Sequence, residues 1–110
     1  SMLELLWHMV LWREFTISRM VPDERDERYF ETNDWRVLDP ADTGLWTKGL
    51  QELDRTQETL VSVLRRQSDD LLGQVVPGRA YTFDHLLNGM VQHDIYHAGQ
   101  IIYIQKLLHR

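Results

Sequence analysis

With 110 residues, 43% of them hydrophobic and 26% charged, the chain can bury one core, so residues 1–110 are predicted to form a single globular domain. The net charge of −5, with no basic block beyond Arg65-Arg66, argues against nucleic acid as a partner. The absence of cysteine excludes disulfides, thiolate ligands and a cysteine nucleophile, so any bound metal must be held by nitrogen and oxygen.

The N-terminus has no secretion-signal layout, and no apolar run approaches the roughly 20 residues that cross a bilayer. We therefore expect no membrane association and a cytoplasmic location. Ser1 before Met2 is typical of a cleaved tag, and we expect the first helix to begin without a capping residue.

The first predicted helix runs from Leu3 to about Met20, and Val21-Pro22 ends it because proline disfavours a helical conformation in the residue before it. Apolar residues recur in it at steps of three and four, the spacing of one helical face. They are Leu5, Leu6, Met9, Trp12 and Phe15.

Residues 23–42 are rich in charge and carry several aromatic side chains, so we expect a loop that folds back onto the bundle. Asp42 or Thr43 can cap a second helix that continues towards Leu71. Its predicted buried seam consists of Trp46, Leu50, Leu53, Gln57, Leu60 and Leu64.

Thr82 can cap a third helix, predicted from Phe83 to Leu108. Its seam is spaced like the first two and includes Leu86, Met90, His93, His97, Ile101, Ile104 and Leu108. Strand-like alternation is absent from the sequence over any useful length. The chain is therefore predicted to be all-α, with three substantial helices.

Histidines occupy three seam positions where the pattern requires apolar side chains: His8 in the first helix, and His93 and His97 in the third. The spacing of four separates Cβ atoms by roughly 5–6 Å, so His93 and His97 can reach one ion over a single turn. Because a buried imidazole needs a polar partner, three such residues indicate a shared metal ion.

Simpler interpretations than metal binding apply to the other histidines, and one also competes with metal binding for the seam histidines. A seam histidine can be a hydrogen-bonded core residue, and an HxxxH pair by itself is a weak signal. His85 lies off the seam in the first turn of the third helix, and His109 is at its C-terminal end. Neither is expected to bind metal.

Two segments resemble the DinB superfamily. Residues 93–101 (HDIYHAGQI) resemble its C-terminal signature, and residues 5–9 (LLWHM), followed by Trp12, resemble its first-histidine segment. The resemblance covers the whole chain in helix order. It implies a four-helix bundle of up-down topology in which His8, His93 and His97 bind a divalent metal ion, with zinc or nickel favoured.

The resemblance also implies a function. Three imidazoles leave a coordination position open, which favours an enzyme over a structural site. DinB-like proteins include transferases and isomerases that use low-molecular-weight thiols such as bacillithiol or mycothiol. We therefore expect a metal-dependent thiol transferase or a hydrolase. The alternatives are a noncatalytic metal-binding or stress-response module, and a structural dimerisation domain without a functional metal.

The sequence departs from the family pattern at its start, because family members usually have a long helix before the one that bears the first histidine. Three amphipathic helices leave part of a four-helix core uncovered. We expect a second copy of the chain to cover it as a homodimer. A covering role for the aromatic segment 29–38 and a truncated chain are the alternatives.

Residues near the histidines are candidates for supporting roles. Metal-bound histidines usually donate their second N–H to a carboxylate or carbonyl, and Gln100, Tyr96 and Asp94 are close enough in sequence to act in this way. Asp94 is expected to point beside the seam. Glu4, one turn before His8, is a candidate for an additional ligand or for an acceptor behind a ligand, although an exposed carboxylate at a helix start is the simpler interpretation.

Overall fold

The computed structural model describes residues 1–21, 25, 27–39 and 41–108. Its helices are α1 (Met2–Ser18), α2 (Glu27–Asn33), α3 (Gly44–Arg65) and α4 (Phe83–Leu108), with a 3₁₀ helix at Asp69–Gly73. Within the described ranges the only strand-like feature is an isolated bridge between Val75 and Thr82. The prediction of an all-α chain is confirmed, and α4 has the predicted bounds.

Helix α1 lies at the centre of the bundle. Both α3 and α4 pack on it, as does the shorter α2. Its burial extends around the helix, so the predicted single face was too narrow, because neighbours contact α1 from several directions. The buried residues are Leu5, Leu6, His8, Met9, Val10, Leu11, Arg13, Phe15 and Thr16.

The ends of α1 differ from the prediction. The Ser1 hydroxyl accepts a hydrogen bond from the Glu4 backbone N–H at 3.2 Å, so the expectation of an uncapped start was wrong. The helix ends at Ser18, before the predicted Met20. Pro22, proposed as the helix breaker, lies outside the described residues.

The segment predicted as a loop contains the helix α2. Phe30 on this helix is buried and packs edge-on against Phe15 of α1, with ring centroids 5.5 Å apart. Further along, Trp35 stacks on His8. The segment therefore folds back onto the bundle as expected, and it covers the side of α1 that carries His8.

The predicted seam of α3 was partly wrong. Trp46 and Leu50 are exposed, whereas Gly49, Thr56, Leu60 and Val63 are buried. The helix ends at Arg65 and does not continue to Leu71. The observed face is the one in contact with α1, the only long helix against which α3 packs among the described elements.

Helices α1 and α3 approach each other closely at Gly49. A Cβ atom built on Gly49 would lie 2.7 Å from Cδ2 of Leu6, closer than real contacts allow. Periodicity treats Gly49 as neutral and therefore favours its larger neighbour Leu50. The close approach of the two helices explains why the buried face runs through the glycine.

Helix α4 is buried only in its first two thirds. Thr82 accepts a weak hydrogen bond, 3.4 Å long, from the His85 backbone N–H at the helix start. Leu86 and Met90 are buried, but Leu108, the last member of the predicted seam, is 68% exposed. The last fully buried residue of α4 is His97, and beyond it only one face of the helix, with Ile101 and Ile104, remains partly buried.

Helices α3 and α4 both flank α1, but their described residues do not pack against each other. The Arg13 guanidinium on α1 connects them, because it donates to Gln57 on α3 and to Asp94 on α4. None of the helices in the described part of the chain is long and apolar enough to span a membrane.

Candidate metal centre

Three histidine side chains from two helices meet on one side of α1. Nε2 of His93 lies 3.1 Å from Nε2 of His8 and 2.9 Å from Nε2 of His97. One ligand atom from each residue lies within 4.8 Å of the other two. His8 and His97 are buried, and His93 is partly buried. The structure thus brings together the three histidines that the sequence singled out.

The helical pattern explains this convergence. His93 and His97 are four residues apart on α4, so their side chains project from the same face one turn apart. His8 projects from α1 towards that face, since α1 and α4 pack together. Ring contacts follow, with centroids 4.8 Å apart for His8 and His93 and 4.2 Å apart for His93 and His97.

Two oxygen atoms of Asp34 determine which ring nitrogen of His8 carries the hydrogen. Nδ1 of His8 lies 2.9 Å from the backbone oxygen of Asp34 and 2.7 Å from its carboxylate Oδ1. Because both partners are acceptors, Nδ1 must carry the hydrogen. In the neutral imidazole, Nε2 of His8 then has a free lone pair directed at the centre of the cluster.

Gln100 determines the tautomer of His97 in the same way. Nδ1 of His97 donates to Oε1 of Gln100 at 2.5 Å, one turn further along α4. The lone pair of His97 Nε2 therefore also faces the cluster.

If all three imidazoles are neutral, hydrogen bonds alone cannot pair every lone pair in the cluster. His8 and His97 each direct a lone pair at Nε2 of His93, which has at most one hydrogen to donate. A divalent cation accepts lone pairs from all three atoms. Tetrahedral zinc with bonds of roughly 2.0–2.1 Å separates its ligand nitrogens by about 3.3 Å, close to the 3.1 Å and 2.9 Å that separate Nε2 of His93 from those of His8 and His97. The donor set therefore fits a metal ion.

Electrostatics keep His93 neutral. The pKa of His93 is lowered from 6.5 to about 4, chiefly by burial and also by the positive charges that His97 and His8 can carry. The carboxylates of Asp94 and Asp34 oppose this effect only in part. Because a metal ligand must be the neutral imidazole, His93 is in the required state at neutral pH.

Aromatic rings enclose the histidines. Trp35 stacks on His8 with ring centroids 3.8 Å apart, and Trp12 lies 4.6 Å from His93. Trp35 is itself 53% exposed, so it forms the outer wall between the cluster and solvent. The imidazoles of His8 and His97 are accordingly only 3% and 5% exposed.

The other predicted site residues lie in different places. Asp94 accepts a hydrogen bond from Arg13 at 2.6 Å and is not among the three-histidine cluster. Tyr96 is exposed, and its ring lies edge-on to His97 at 5.4 Å. Glu4 takes part in the N-terminal cap of α1.

The two remaining histidines also lie away from the cluster. His85 is exposed and contacts Tyr81. His109 lies outside the described residues.

Sequence reasoning missed Asp34, Trp35 and Arg13. The clustering of aromatic residues around Trp35 was the one signal that this segment packs on the bundle. Nothing in the sequence distinguished Asp34 from the many carboxylates around it. Arg13 carried a usable signal, because it is a charged residue inside an otherwise apolar helical stretch.

A cavity of about 110 Å³ is lined by two residues that also contact the histidines, Trp12 and Asp34. Its aromatic walls include Trp12, Phe15 and Phe30, and its polar lining includes Asp34 and Arg79. Trp12 contacts His93 and Asp34 contacts His8, so these two residues separate the cavity from the histidine cluster.

Comparison with known proteins gives one match. The family model of the DinB superfamily matches residues 1–101, which is most of the chain. Neither the curated proteins nor the solved structures contain a significant match. The extent of the family match, together with the helical fold and the histidine cluster, shows that the chain belongs to the DinB superfamily.

Proposed function

We propose that the protein binds one divalent metal ion through His8, His93 and His97 and uses it for thiol transfer or for hydrolysis. The observation that carries this proposal is the convergence of three Nε2 atoms, two of which have their opposite nitrogen committed to an acceptor. Zinc and nickel are the proposed metals, because both accept neutral imidazole ligands.

The number of ligands favours catalysis. A metal held by three imidazoles has a position for a further ligand, where it would lower the pKa of a bound thiol or water. Fully ligated structural sites lack such a position. Three protein ligands are therefore typical of a reactive site.

Asp34 and Gln100 are proposed to hold the ligands in orientation. Each accepts the Nδ1 hydrogen of one histidine, which fixes the tautomer and the ring plane and increases the basicity of Nε2. Trp35 covers His8 and reduces the access of water. These three residues prepare the site without contacting the reacting atoms.

The proposed cosubstrate is a low-molecular-weight thiol such as bacillithiol or mycothiol, as in related members of the superfamily. The aromatic cavity beside the cluster can hold the apolar part of an electrophile, since Trp12 and Phe30 line it. A thiol cosubstrate requires a reducing compartment, so we propose that the protein acts in the cytoplasm.

Elemental analysis of protein purified without a polyhistidine tag tests the metal site. We expect about one equivalent of zinc or nickel in the native protein and its loss in His93→Ala. His85→Ala is the matched control, because His85 is an exposed histidine on the same helix. Equal metal content in the two variants would overturn the assignment and leave a structural domain as the remaining interpretation.

Turnover is tested separately. Metal-loaded and metal-stripped protein are incubated with bacillithiol and a chromogenic aryl halide, and arylation of the thiol is followed by absorbance; ester hydrolysis is measured in parallel. We expect faster product formation with the loaded form. Equal rates in both assays, with metal bound, would exclude the transferase and hydrolase and favour a noncatalytic metal-binding module.

A further inference from the structure

One face of α4 carries an exposed apolar seam with the spacing of a coiled coil. Val91, Ile95 and Ile102 are 55%, 69% and 52% exposed, and Ala98 lies exposed between them. Asn88 and Gln105 extend the same line at its two ends. The steps along this seam are three, four, three, four and three residues, which is the a/d pattern of a two-stranded interface.

The seam lies on the far side of α4 from the metal-site histidines. At 100° per residue, Ile95 and Ala98 are each separated from His93 by more than a third of a turn around the helix axis. His93 and His97 contact His8, and Met90 contacts Thr16, so these residues face α1. The described residues of α3 do not pack against α4 and therefore leave the seam uncovered.

The seam is symmetric about its midpoint, which lies between Tyr96 and His97. Reversing its direction reproduces the same spacing. An antiparallel copy of α4 would place Val91 opposite the partner's Ile102 and Ile95 opposite the partner's Ala98. At the ends, Asn88 would face the partner's Gln105, so that each amide meets another amide.

Residue size also matches in this register. Each Ile95 side chain would meet the small Ala98 of the other copy, so bulk and space alternate across the centre. A parallel register would instead place Ile95 against Ile95 and Ala98 against Ala98, which separates the helices at one level and leaves a gap at the next. The sequence favours the antiparallel arrangement.

Charge agrees with the same arrangement. The seam itself carries no charge, and Asp94 beside it is already paired with Arg13. Asp84 lies near the start of α4 and Lys106 near its end. In the antiparallel register these opposite charges come within about one helical turn of each other at both ends of the interface.

We propose that two copies of this chain associate through an antiparallel pairing of the α4 seam defined by Asn88, Val91, Ile95, Ala98, Ile102 and Gln105. The pairing spans about 26 Å at 1.5 Å per residue. It is independent of the metal, since no ligand belongs to the seam. It assigns the expected homodimer to a particular surface.

Sedimentation velocity over a concentration series tests the association. The wild-type chain is expected at twice its 13.1 kDa mass, and Ile95→Asp is expected as a monomer because the substitution buries a carboxylate at the seam centre. Val37→Asp is the control, since Val37 is almost fully exposed and lies outside α4. Circular dichroism establishes that both variants remain helical.

Two outcomes of that experiment overturn the proposal. A wild-type protein that remains monomeric at all concentrations would show that the seam does not bind a second copy and is covered by a different helix. An Ile95→Asp variant that stays dimeric and helical would place the interface elsewhere.

Cross-linking tests the direction. The natural chain has no cysteine, so Val91→Cys and Ile102→Cys each introduce a single thiol. Antiparallel pairing predicts that oxidation yields disulfide dimers from a mixture of the two variants, with the mixed species dominant by mass spectrometry. Dimers formed mainly by each variant alone indicate parallel pairing, and no dimers from either indicate a different surface; both results overturn the proposal.

Discussion

The two sides of α4 depart from ordinary burial in opposite ways. Facing α1, His93 and His97 place polar rings where apolar side chains belong. Facing away, Val91, Ile95 and Ile102 place apolar side chains where polar ones belong. A buried polar group needs a partner, and a contiguous exposed apolar patch marks a binding surface. We therefore propose a different kind of ligand for each side, a cation for one and a second copy of the chain for the other.

Arg13 of α1 contacts α4 at Asp94, beside both the histidine side and the apolar side of that helix. Its side chain is buried, donates to Asp94 at 2.6 Å and to Gln57 at 2.9 Å, and thereby links α1 to both flanking helices. Asp94 is the next residue after His93. The ion pair therefore holds α4 against α1 at a position next to His93.

Removing Arg13 is expected to have the largest effect on stability. Arg13→Met leaves the Asp94 carboxylate largely buried without a cation, and breaking a buried pair in this way costs about 3–5 kcal/mol. Urea unfolding of metal-stripped protein measures the change. Arg55→Met is the control, because Arg55 pairs with Glu52 at an exposed position and its loss should cost less than about 1 kcal/mol.

A double variant sharpens this result. Arg13→Met with Asp94→Leu removes both charges, so most of the lost stability should return. A double variant as unstable as Arg13→Met would show that the loss comes from packing of the arginine stem and not from an unpaired carboxylate.

Helix α3 allows the same comparison of covered and uncovered faces within one element. Leu60 is 2% exposed and Leu50 is 43% exposed, although periodicity assigned both to one seam. Leu60→Ala is expected to lower the free energy of unfolding by about 2–5 kcal/mol. Leu50→Ala should change it by less than about 1 kcal/mol in the monomer. Similar losses in urea unfolding would show that Leu50 is covered in solution.

Much of the fold follows from the sequence because helical periodicity is local. The bounds of α4 needed only Thr82 at its start and a regular seam. The buried face of α3 could not be obtained in this way, since it depends on how closely α1 approaches Gly49. Periodicity also treats every apolar stripe as core, and so it could not separate the buried Leu60 from the exposed Leu50.

The site was predictable for a different reason. A histidine at a seam position is an anomaly that the sequence itself displays, and His8, His93 and His97 all had it. The partner of His8 was not predictable, because Asp34 reaches it from a segment 26 residues away with no periodic pattern. Gln100 could be predicted as a partner of His97, since it lies one turn away on the same helix.

Gln100 gives the test with the smallest expected effect, on the histidine side of α4. Gln100→Ala removes the acceptor of the His97 Nδ1 hydrogen, and loss of such a partner lowers metal affinity by about 10–100-fold. Competition with a chromophoric chelator measures the affinity for zinc. Gln92→Ala is the matched control, because Gln92 is an exposed amide on the same helix.

The chemistry of the acceptor distinguishes orientation from packing. Gln100→Glu keeps an oxygen at the end of a side chain of equal length, so it should retain zinc affinity close to that of the native protein, whereas Gln100→Met keeps the bulk and should lose affinity as Gln100→Ala does. If Gln100→Met bound zinc as tightly as the native protein, the hydrogen bond would contribute nothing to ligation. His97 would then be held by its helix and by the rings around it.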